Sequence, residues 1–290
     1  MIVSRTPLRM SFVGGGSDLP SYYRHKGGAV LSTSVDKYMY VTVNKKFDSD
    51  IRLSYSVTEN ESSTQQIKHP IVRNTLNFLG IEGGIEITSI SDIPSRGSGL
   101  GSSSSYAVAL LHALYAYQGK SISKEELGRL SSHIEIDLCG DNIGKQDQYI
   151  ASFGGLNLIE FNEDDSVVVS PVICKPETIL RMEESILVFY TGRTRSASSL
   201  LNDLSENIKQ PRKRALMSDM VSMAYDMRDL LENDDVDLVG EVLDKNWQLK
   251  RQMALGISDA QIDDWYNKGL LAGATGGKLL GAGNGGFIMF

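Results

Sequence analysis

The stretch Asp92-Ile-Pro-Ser-Arg-Gly-Ser-Gly-Leu-Gly-Ser-Ser-Ser-Ser-Tyr106 lies between a strand pattern and a helix pattern. Residues 84–90 before it alternate as a strand does, and residues 102–117 are rich in alanine and leucine. Glycines allow a loop whose backbone N–H groups converge on an anion, and a helix N-terminus adds further unpaired N–H groups. A Gly/Ser linker is the alternative, but a linker does not need a strand and an apolar helix at its two ends. We therefore predict that residues 97–105, here called the Gly/Ser loop, bind phosphate.

This loop is not of the Walker A type, because GxxxxGK[ST] occurs nowhere in the chain. Upstream of it the sequence is rich in strand patterns. Residues 39–43 and 51–55 alternate apolar and polar side chains, which indicates half-buried strands. The polar residues 58–69 between these patterns are predicted to form a surface excursion.

Downstream of the loop the patterns are mainly helical. Ser123 and Glu126 predict a capping box, followed by a face of Leu127, Leu130, Ile134 and Leu138. Pro211 suits the first turn of a long helix with a methionine-rich core stripe, and shorter helices are expected around Val239–Trp247 and Ile262–Tyr266. The order of the predicted elements, with strands first and helices with interspersed strands afterwards, favours an α+β fold. No repeat or linker is visible, so any two lobes should share a tight interface.

Composition excludes several classes of partner. The 290 residues are 41% hydrophobic and 22% charged, as in an ordinary globular protein, and the net charge is −7. This charge argues against nucleic acid and anionic membranes as partners, because both select basic surfaces. No apolar run approaches a membrane span and no targeting segment is visible, so we expect a cytoplasmic protein. Cys139 and Cys174 are expected to be buried free thiols, and the four histidines lack metal-ligand spacing.

Two further segments concentrate glycine. In residues 7–20 a strand pattern runs into three glycines, with Arg9 and Asp18 nearby; either a ligand approaches the backbone there, or the segment is a tight turn with a surface ion pair. Residues 273–287 contain a formal GxGxxG, but no helix follows it, so a dinucleotide fold is not expected. The better interpretation is that these glycines let two backbones pack beneath a nucleotide site.

A cluster of charges follows the second predicted helix. Phosphoryl transfer needs metal-holding oxygens, a group that orients or deprotonates the attacking hydroxyl, and cations that offset charge. Asp147, flanked by glutamines, and Lys145 two positions before it could supply the last two functions. The alternative is a solvated charge cluster at a helix end, which we prefer for Asp137 and Asp141.

Together these segments resemble the GHMP kinases, the family of galactokinase, homoserine kinase, mevalonate kinase and phosphomevalonate kinase. The resemblance extends from Pro7 to Gly286, and the Gly-Leu-Gly-Ser-Ser core of the loop is its most specific element. Within the family, the chain looks most like the D-glycero-D-manno-heptose 7-phosphate kinases, with the L-fucokinase kinase domain as a relative. The segments that carry this likeness are Gly-Gly-Gly-Ser-Asp-Leu-Pro, Gly-Lys-Gln-Asp-Gln and Lys-Leu-Leu-Gly-Ala-Gly.

The resemblance implies a two-lobed α+β fold. Residues 1–170 would form an N-terminal ATP-binding lobe like ribosomal protein S5 domain 2, and residues 171–290 a C-terminal α/β lobe. Relatives usually continue beyond the last glycine run, so this lobe is expected to lack its last segment. The implied reaction transfers the ATP γ-phosphoryl, with Mg²⁺, to the anomeric hydroxyl of heptose 7-phosphate, a small-molecule sugar phosphate. A homodimer is one possible assembly.

The resemblance also implies roles for individual residues. Asp147 looks like the catalytic aspartate and Arg9 takes the place of the basic residue that assists it. Ser103 and Glu135 look like the magnesium ligands. The loop residues that would wrap the ATP phosphates are Gly97, Ser98, Gly99, Leu100, Gly101, Ser102, Ser103 and Ser104. The expected substrate contacts are Gly15, Gly16, Asp18 and Lys145, with Arg193 and Arg195 as candidates for binding a substrate phosphate, since arginine donors form a fork. A solvated loop is the alternative for these two arginines.

Three departures from the family pattern are visible. Pro94 lies one residue further from the Gly-Leu-Gly core than is common, with Arg96 in the extra space. Leu280 stands where many members have Ser or Thr, which weakens any hydroxyl contact there. Asn284 replaces a usual glycine, a change that asparagine tolerates because it adopts left-handed backbone geometry.

Two rival functions remain open at this point. One is a kinase of an unphosphorylated sugar such as L-fucose or galactose. The other, from a different class, is a non-catalytic sensor that keeps the fold and the ATP site. The presence of Ser103, Glu135 and Asp147 together argues against a degenerate site.

Overall fold

The computed structural model describes residues 1–93, 97–193 and 198–290, apart from the side chain of Ser198. Its strands are β1 (Ile2–Val13), β2 (Gly28–Lys45), β3 (Ile51–Ser54), β4 (Thr58–Glu61), β5 (Ile85–Ser91), β6 (Leu156–Phe161), β7 (Val167–Pro171), β8 (Val188–Tyr190), β9 (Lys278–Leu279) and β10 (Phe287–Met289). Its α-helices are α1 (Pro20–Lys26), α2 (Pro70–Phe78), α3 (Ser102–Tyr117), α4 (Lys124–Ser132), α5 (Gln146–Phe153), α6 (Pro176–Ser185), α7 (Ser198–Asn207), α8 (Pro211–Glu232), α9 (Val239–Lys250) and α10 (Ala260–Leu271).

Two sheets organise these elements. The larger sheet has the order β4-β3-β5-β2-β6-β7, with β1 paired to β2. The 18-residue strand β2 is its centre, since it runs antiparallel to β1, β5 and β6. The smaller sheet has the order β8-β10-β9. Strands and helices thus occur together in mixed layers, and the α+β prediction is confirmed.

The strand patterns predicted the larger sheet well. Met39, Val41 and Val43 of β2 are buried, as their period-two spacing requires. The predicted surface excursion at 58–69 was wrong in part, because it contains β4 and a 3₁₀ turn, Thr64–Gln66. Glu59 gives this segment a buried anchor, since its carboxylate accepts hydrogen bonds from Tyr55 Oη at 2.6 Å and Lys68 N at 2.7 Å.

The helix boundaries follow local chemistry. Helix α3 spans the residues predicted for it, although its N-cap is Gly101 with left-handed backbone (φ 73°) and not a serine side chain. At α4 the Ser123 hydroxyl accepts the Glu126 N–H at 3.2 Å, while the Glu126 carboxylate pairs with Arg129. Only half of the predicted capping box therefore forms. Beyond α4 the chain continues as a π-helical turn, His133–Leu138.

The C-terminal helices confirm the predicted apolar faces with small shifts. Pro211 occupies the first turn of α8. The predicted stripe was Leu216, Met220, Met223, Met227 and Leu230. The buried face of α8 is Met217, Met220, Ala224, Met227 and Leu231, so two members coincide and three are displaced by one position. Among the described residues, none of the helices is long and apolar enough to cross a membrane.

One hydrophobic core joins the two halves of the chain. Leu8 and Phe12 of β1 pack in the same cluster as Met227 and Leu231 of α8 and Leu243 of α9. This shared core agrees with the tight interface expected from the sequence. The lobes at 1–170 and 171–290 remain our proposal, and its boundary coincides with the end of β7. Both cysteines are free thiols, although they are half-buried and not fully buried as expected.

The Gly/Ser loop lies against the last glycine run. A Cβ on Gly281, whose φ is +73°, would stand 2.5 Å from the Cα of Gly99. The two backbones touch where no side chain fits, as predicted for backbones packed together. The loop is therefore supported from the C-terminal side of the chain.

Gly281→Ala should destabilise the protein more than Gly119→Ala. Gly119 has a similar φ of +71°, but a Cβ added there would meet no atom within 4 Å. Both variants carry the left-handed backbone cost of about 1–2 kcal/mol, and Gly281→Ala adds an overpacking cost of about 1–3 kcal/mol. Urea unfolding measures the difference. Equal free energies of unfolding for the two variants would contradict the close contact.

Candidate functional site

The three glycine segments meet around one cavity of about 230 Å³. Residues from β1, the Gly/Ser loop, the π-helical turn, α5, α9 and the last glycine run line it. The charged side chains in this wall are Arg9, Asp18, Glu135, Asp141, Asp147, Lys250 and Lys278. Opposite charges thus converge in a small volume, where electrostatic interactions are stronger than in water.

Arg9 and Asp147 form the central ion pair of this cavity. The Arg9 Nε and Nη2 atoms donate to the two Asp147 carboxylate oxygens at 2.7 and 2.6 Å. Arg9 Nη1 donates to the Gly99 carbonyl at 2.6 Å, and the Arg9 backbone N–H donates to the Leu100 carbonyl at 3.0 Å. Arg9 therefore holds the aspartate and the loop in one fixed arrangement.

The Gly/Ser loop turns tightly above this pair before helix α3 begins. A Cβ on Gly101 would lie 3.1 Å from both Arg9 Cγ and Asp147 Oδ2, so only glycine suits this position without displacement. The hydroxyls of Ser98 and Ser102 are hydrogen bonded at 3.0 Å. The first turn of α3 points its unpaired backbone N–H groups into this region, which favours an anion.

Glu135 lies beside the first turn of α3, because Ser103 of that turn is hydrogen bonded to it. It is fully buried within the π-helical turn, a distortion that is frequent at functional sites. Its carboxylate accepts hydrogen bonds from Ser103 Oγ at 3.0 Å and from Gln148 Nε2 at 2.6 Å. Burial raises the pKa of this carboxyl group to about 7, against the hydrogen bonds that favour its charged form.

Ser103 and Glu135 fit a hard cation. Both present oxygen atoms, and in the described part of the chain Glu135 is bonded to neutral groups and forms no ion pair. No group of three or more acidic, histidine or cysteine ligands occurs among the described residues. One carboxylate and one hydroxyl are a donor set that Mg²⁺ can use together with waters and substrate phosphates.

Asp18 closes the other end of the cavity. Its two carboxylate oxygens accept the backbone N–H groups of Gly16 at 2.9 Å and Gln146 at 3.2 Å. Burial, followed by the nearby Asp147 charge, raises the pKa of Asp18 above its usual value. Gly15 and Gly16 line the cavity beside it, so these three expected substrate contacts lie together.

Two of the other expected substrate contacts do not reach this cavity. Lys145 Nζ donates to the Asp165 backbone carbonyl at 3.1 Å, and it also lies 4.8 Å from the centre of the Tyr23 ring. Arg193 Nη2 donates to Asp259 Oδ2 at 2.8 Å. Each cation is held by a carboxylate or carbonyl elsewhere, and neither lines the cavity wall. Arg195, like Pro94 and Arg96, lies outside the described residues.

Several cavity residues were not singled out in the sequence. Lys250 and Lys278 are buried in the wall, as is Ser11. Asp141, for which the sequence favoured a solvated charge, is exposed at the edge of the same cavity. The spacing of Arg9 and Ser11 on β1 could have indicated Ser11, because residues i and i+2 share a strand face. No comparable local signal marks the two lysines.

Two further cavities differ in character. A neighbouring cavity of about 510 Å³ shares Ser102 and Ser103 with the site and is lined by Met39, Tyr55 and Tyr106. A larger one, about 970 Å³, lies beside β8 and α10 and is lined mainly by apolar side chains. None of the residues predicted to carry chemistry lines that larger cavity, so we place the site at the smaller, charged one.

Known proteins resemble the chain along its whole length. Residues 67–155 match the GHMP kinases N terminal domain. D-glycero-alpha-D-manno-heptose 7-phosphate kinase of Campylobacter jejuni is 29% identical, with 100% of this chain and 88% of the relative covered. The bifunctional fucokinase/GDP-fucose pyrophosphorylase of Arabidopsis thaliana is 27% identical, over 98% of this chain and 29% of the relative.

A solved structure shares the fold as well. The crystal structure of a D-glycero-D-manno-heptose 1-phosphate kinase from Bacteroides thetaiotaomicron superposes with a TM-score of 0.82 at 27% identity. The match covers 100% of this chain and 88% of that one. The matched N-terminal domain contains the Gly/Ser loop, Glu135 and Asp147 in the arrangement described above. Residues 67–155 therefore match the N-terminal domain of the GHMP kinases, and the chain as a whole shares the fold of a heptose phosphate kinase.

Proposed function

We propose that this kinase transfers the γ-phosphoryl group of ATP to the anomeric hydroxyl of D-glycero-D-manno-heptose 7-phosphate and so forms the 1,7-bisphosphate. One observation carries the proposal. The Arg9–Asp147 ion pair is held directly against the Gly/Ser loop, in a cavity that also contains the Ser103–Glu135 oxygens. A phosphate site and a group that can receive a hydroxyl proton are thus adjacent, as phosphoryl transfer requires.

The donor half of the site would accommodate ATP. The glycines of the loop and the N-terminus of α3 suit the triphosphate. The neighbouring cavity begins at Ser102 and Ser103, and its wall includes Met39, Tyr55 and Tyr106. An aromatic and apolar wall of this kind suits a purine base. We therefore place the phosphates at the loop and the base in that second cavity.

Ser103 and Glu135 would hold a magnesium ion at the donor phosphates. When bound, the ion would offset the negative charge that develops during phosphoryl transfer. The protein contributes a buried carboxylate whose position is fixed by Gln148 at 2.6 Å.

Asp147 would orient the attacking hydroxyl. Both of its oxygens accept bonds from Arg9, yet a carboxylate has about four lone-pair sites and can accept a further hydrogen bond. Its side chain is 20% exposed, so a substrate hydroxyl can reach it from the cavity. An anomeric hydroxyl is more acidic than an ordinary alcohol, so orientation and charge compensation by Arg9 can be sufficient without a strong base.

The names of the relatives and the charges in the cavity both bear on the identity of the acceptor. Two of the relatives described above are named as kinases of a heptose phosphate, although the names differ in the position of the phosphate. The buried lysines in the cavity favour an acceptor that carries a negative charge. A kinase of unphosphorylated L-fucose is the second candidate, because the Arabidopsis relative includes a fucokinase over nearly all of this chain.

A screen of sugars for ADP release tests the acceptor. With ATP and Mg²⁺ we expect release of ADP with heptose 7-phosphate at a kcat/KM about 10- to 100-fold above that with L-fucose or galactose, since a charged contact adds about 1.5–3 kcal/mol. A preference for fucose or galactose would favour the second candidate. ADP release with none of the sugars would contradict sugar kinase activity.

Asp147→Asn should lower kcat by about 10²- to 10⁴-fold, the range typical of a positioned proton acceptor. Binding of ATP should change little, because the loop and Glu135 are untouched. Asp137→Asn is the matched control, since Asp137 is exposed and pairs with His133. Turnover and ATP affinity are measured for both variants. Near-normal turnover in Asp147→Asn would remove this residue from the mechanism.

A further inference from the structure

Two buried lysines line the cavity, and the mechanism above assigns neither of them a contact with the substrate. Lys250 is the last residue of α9 and Lys278 is the first residue of β9, and both are more than nine-tenths buried. Lysine is almost never fully buried unless it is paired. Two such side chains in one wall of a site therefore need an explanation.

The contacts of the two ammonium groups leave N–H donors available. Lys278 Nζ donates to the carbonyls of Ser11 at 2.8 Å and Phe12 at 2.7 Å. Lys250 Nζ donates to the Gly281 carbonyl. An ammonium group has three donors. Within the described part of the chain neither lysine forms an ion pair, so each retains at least one donor without a described acceptor.

In the described part of the chain, the acceptors of both lysines are backbone carbonyls, and no carboxylate is hydrogen bonded to either ammonium group. The charge of Arg9 is already matched by Asp147 through two hydrogen bonds. Burial, and then Arg9, lowers the pKa of Lys250 to about 8, while Asp18 acts in the opposite direction. Burial lowers the pKa of Lys278 well below its usual value, and the charges of Lys250 and Arg9 add to the effect. An incoming anion would relieve this repulsion.

Other polar groups near the lysines suit a polyhydroxyl ligand. The Ser11 hydroxyl and the Gln146 side-chain oxygen are buried without a hydrogen-bond partner in the described structure. Both residues line the cavity beside Asp18. Hydroxyl groups can donate to and accept from such atoms. The cavity therefore combines hydroxyl-binding groups with two buried lysines.

We propose that Lys250 and Lys278 bind the phosphate that the sugar acceptor already carries. The inference rests on the proposed function and adds to it the residues that select a phosphorylated sugar. They take the place of Arg193, which is engaged by Asp259 and does not line the cavity. The donor phosphates of ATP are the other source of the same chemistry, because Gly281, the partner of Lys250, lies against Gly99 of the loop.

The test compares two acceptors in Lys250→Met and Lys278→Met. Methionine is unbranched and of similar length, but it has no charge. We expect kcat/KM for heptose 7-phosphate to fall by about 10- to 100-fold, as for the loss of a charged hydrogen bond. For the unphosphorylated heptose it should change less than about threefold, and KM for ATP should be unchanged. Lys250→Arg should restore part of the preference, since it keeps the charge.

Lys245→Met is the matched control, because Lys245 is an exposed lysine on the same helix. Thermal unfolding verifies that each variant is folded, and if Lys278→Met does not fold, Lys250→Met alone carries the test. An equal loss with both acceptors, or a raised KM for ATP with the acceptor preference intact, would overturn the inference. If the unaltered enzyme phosphorylates the sugars but no heptose phosphate, the proposed acceptor itself is wrong.

Discussion

The bidentate ion pair between Arg9 and Asp147 is the interaction on which the site depends. Arg9 comes from the first strand and Asp147 from the first turn of α5, 138 residues later. The same guanidinium group donates to Gly99 of the Gly/Ser loop. One side chain therefore fixes a strand, a helix and a loop relative to each other. Breaking such a pair leaves a buried charge without a partner, at a cost of about 3–5 kcal/mol.

The remaining architecture serves to place charges around this pair. The loop approaches closely because glycine at positions 99, 101 and 281 leaves room for backbone and carboxylate. Glu135 and Asp18 are held as buried carboxylates by hydrogen bonds, while Lys250 and Lys278 are held by backbone carbonyls. Such preorganised charges act without reorganisation during a reaction, which is the largest contribution in many enzymes. Removing these charges from water lowers the stability of the free protein.

The sequence predicted those features that local chemistry determines. The alternation in β2, the apolar helix at 102–117 and the Ser123 cap could all be recognised from short windows. The resemblance to a family added Ser103 and Glu135 to Arg9 and Asp147, and the structure brings all four to one cavity.

What could not be predicted depends on tertiary contacts. Lys250 and Lys278 are isolated lysines in a helix and a short strand, and only the folded chain brings them beside Arg9. The sequence makes Arg193 a candidate phosphate ligand, but its side chain is hydrogen bonded to Asp259, which lies 66 residues away in the sequence. Helix α3 begins after the left-handed Gly101, which lies beside Arg9, and Ser102, Ser103 and Ser104 of its first turn line the cavity.

We propose that phosphoryl transfer takes place at the Arg9–Asp147 pair. A crystal structure with a non-hydrolysable ATP analogue, Mg²⁺ and heptose 7-phosphate measures this most directly. We expect an acceptor hydroxyl within about 2.6–3.2 Å of the Asp147 carboxylate, with the γ-phosphate between that hydroxyl and the Gly/Ser loop. Nucleotide and sugar bound in the large apolar cavity, or a γ-phosphate remote from Asp147, would contradict it.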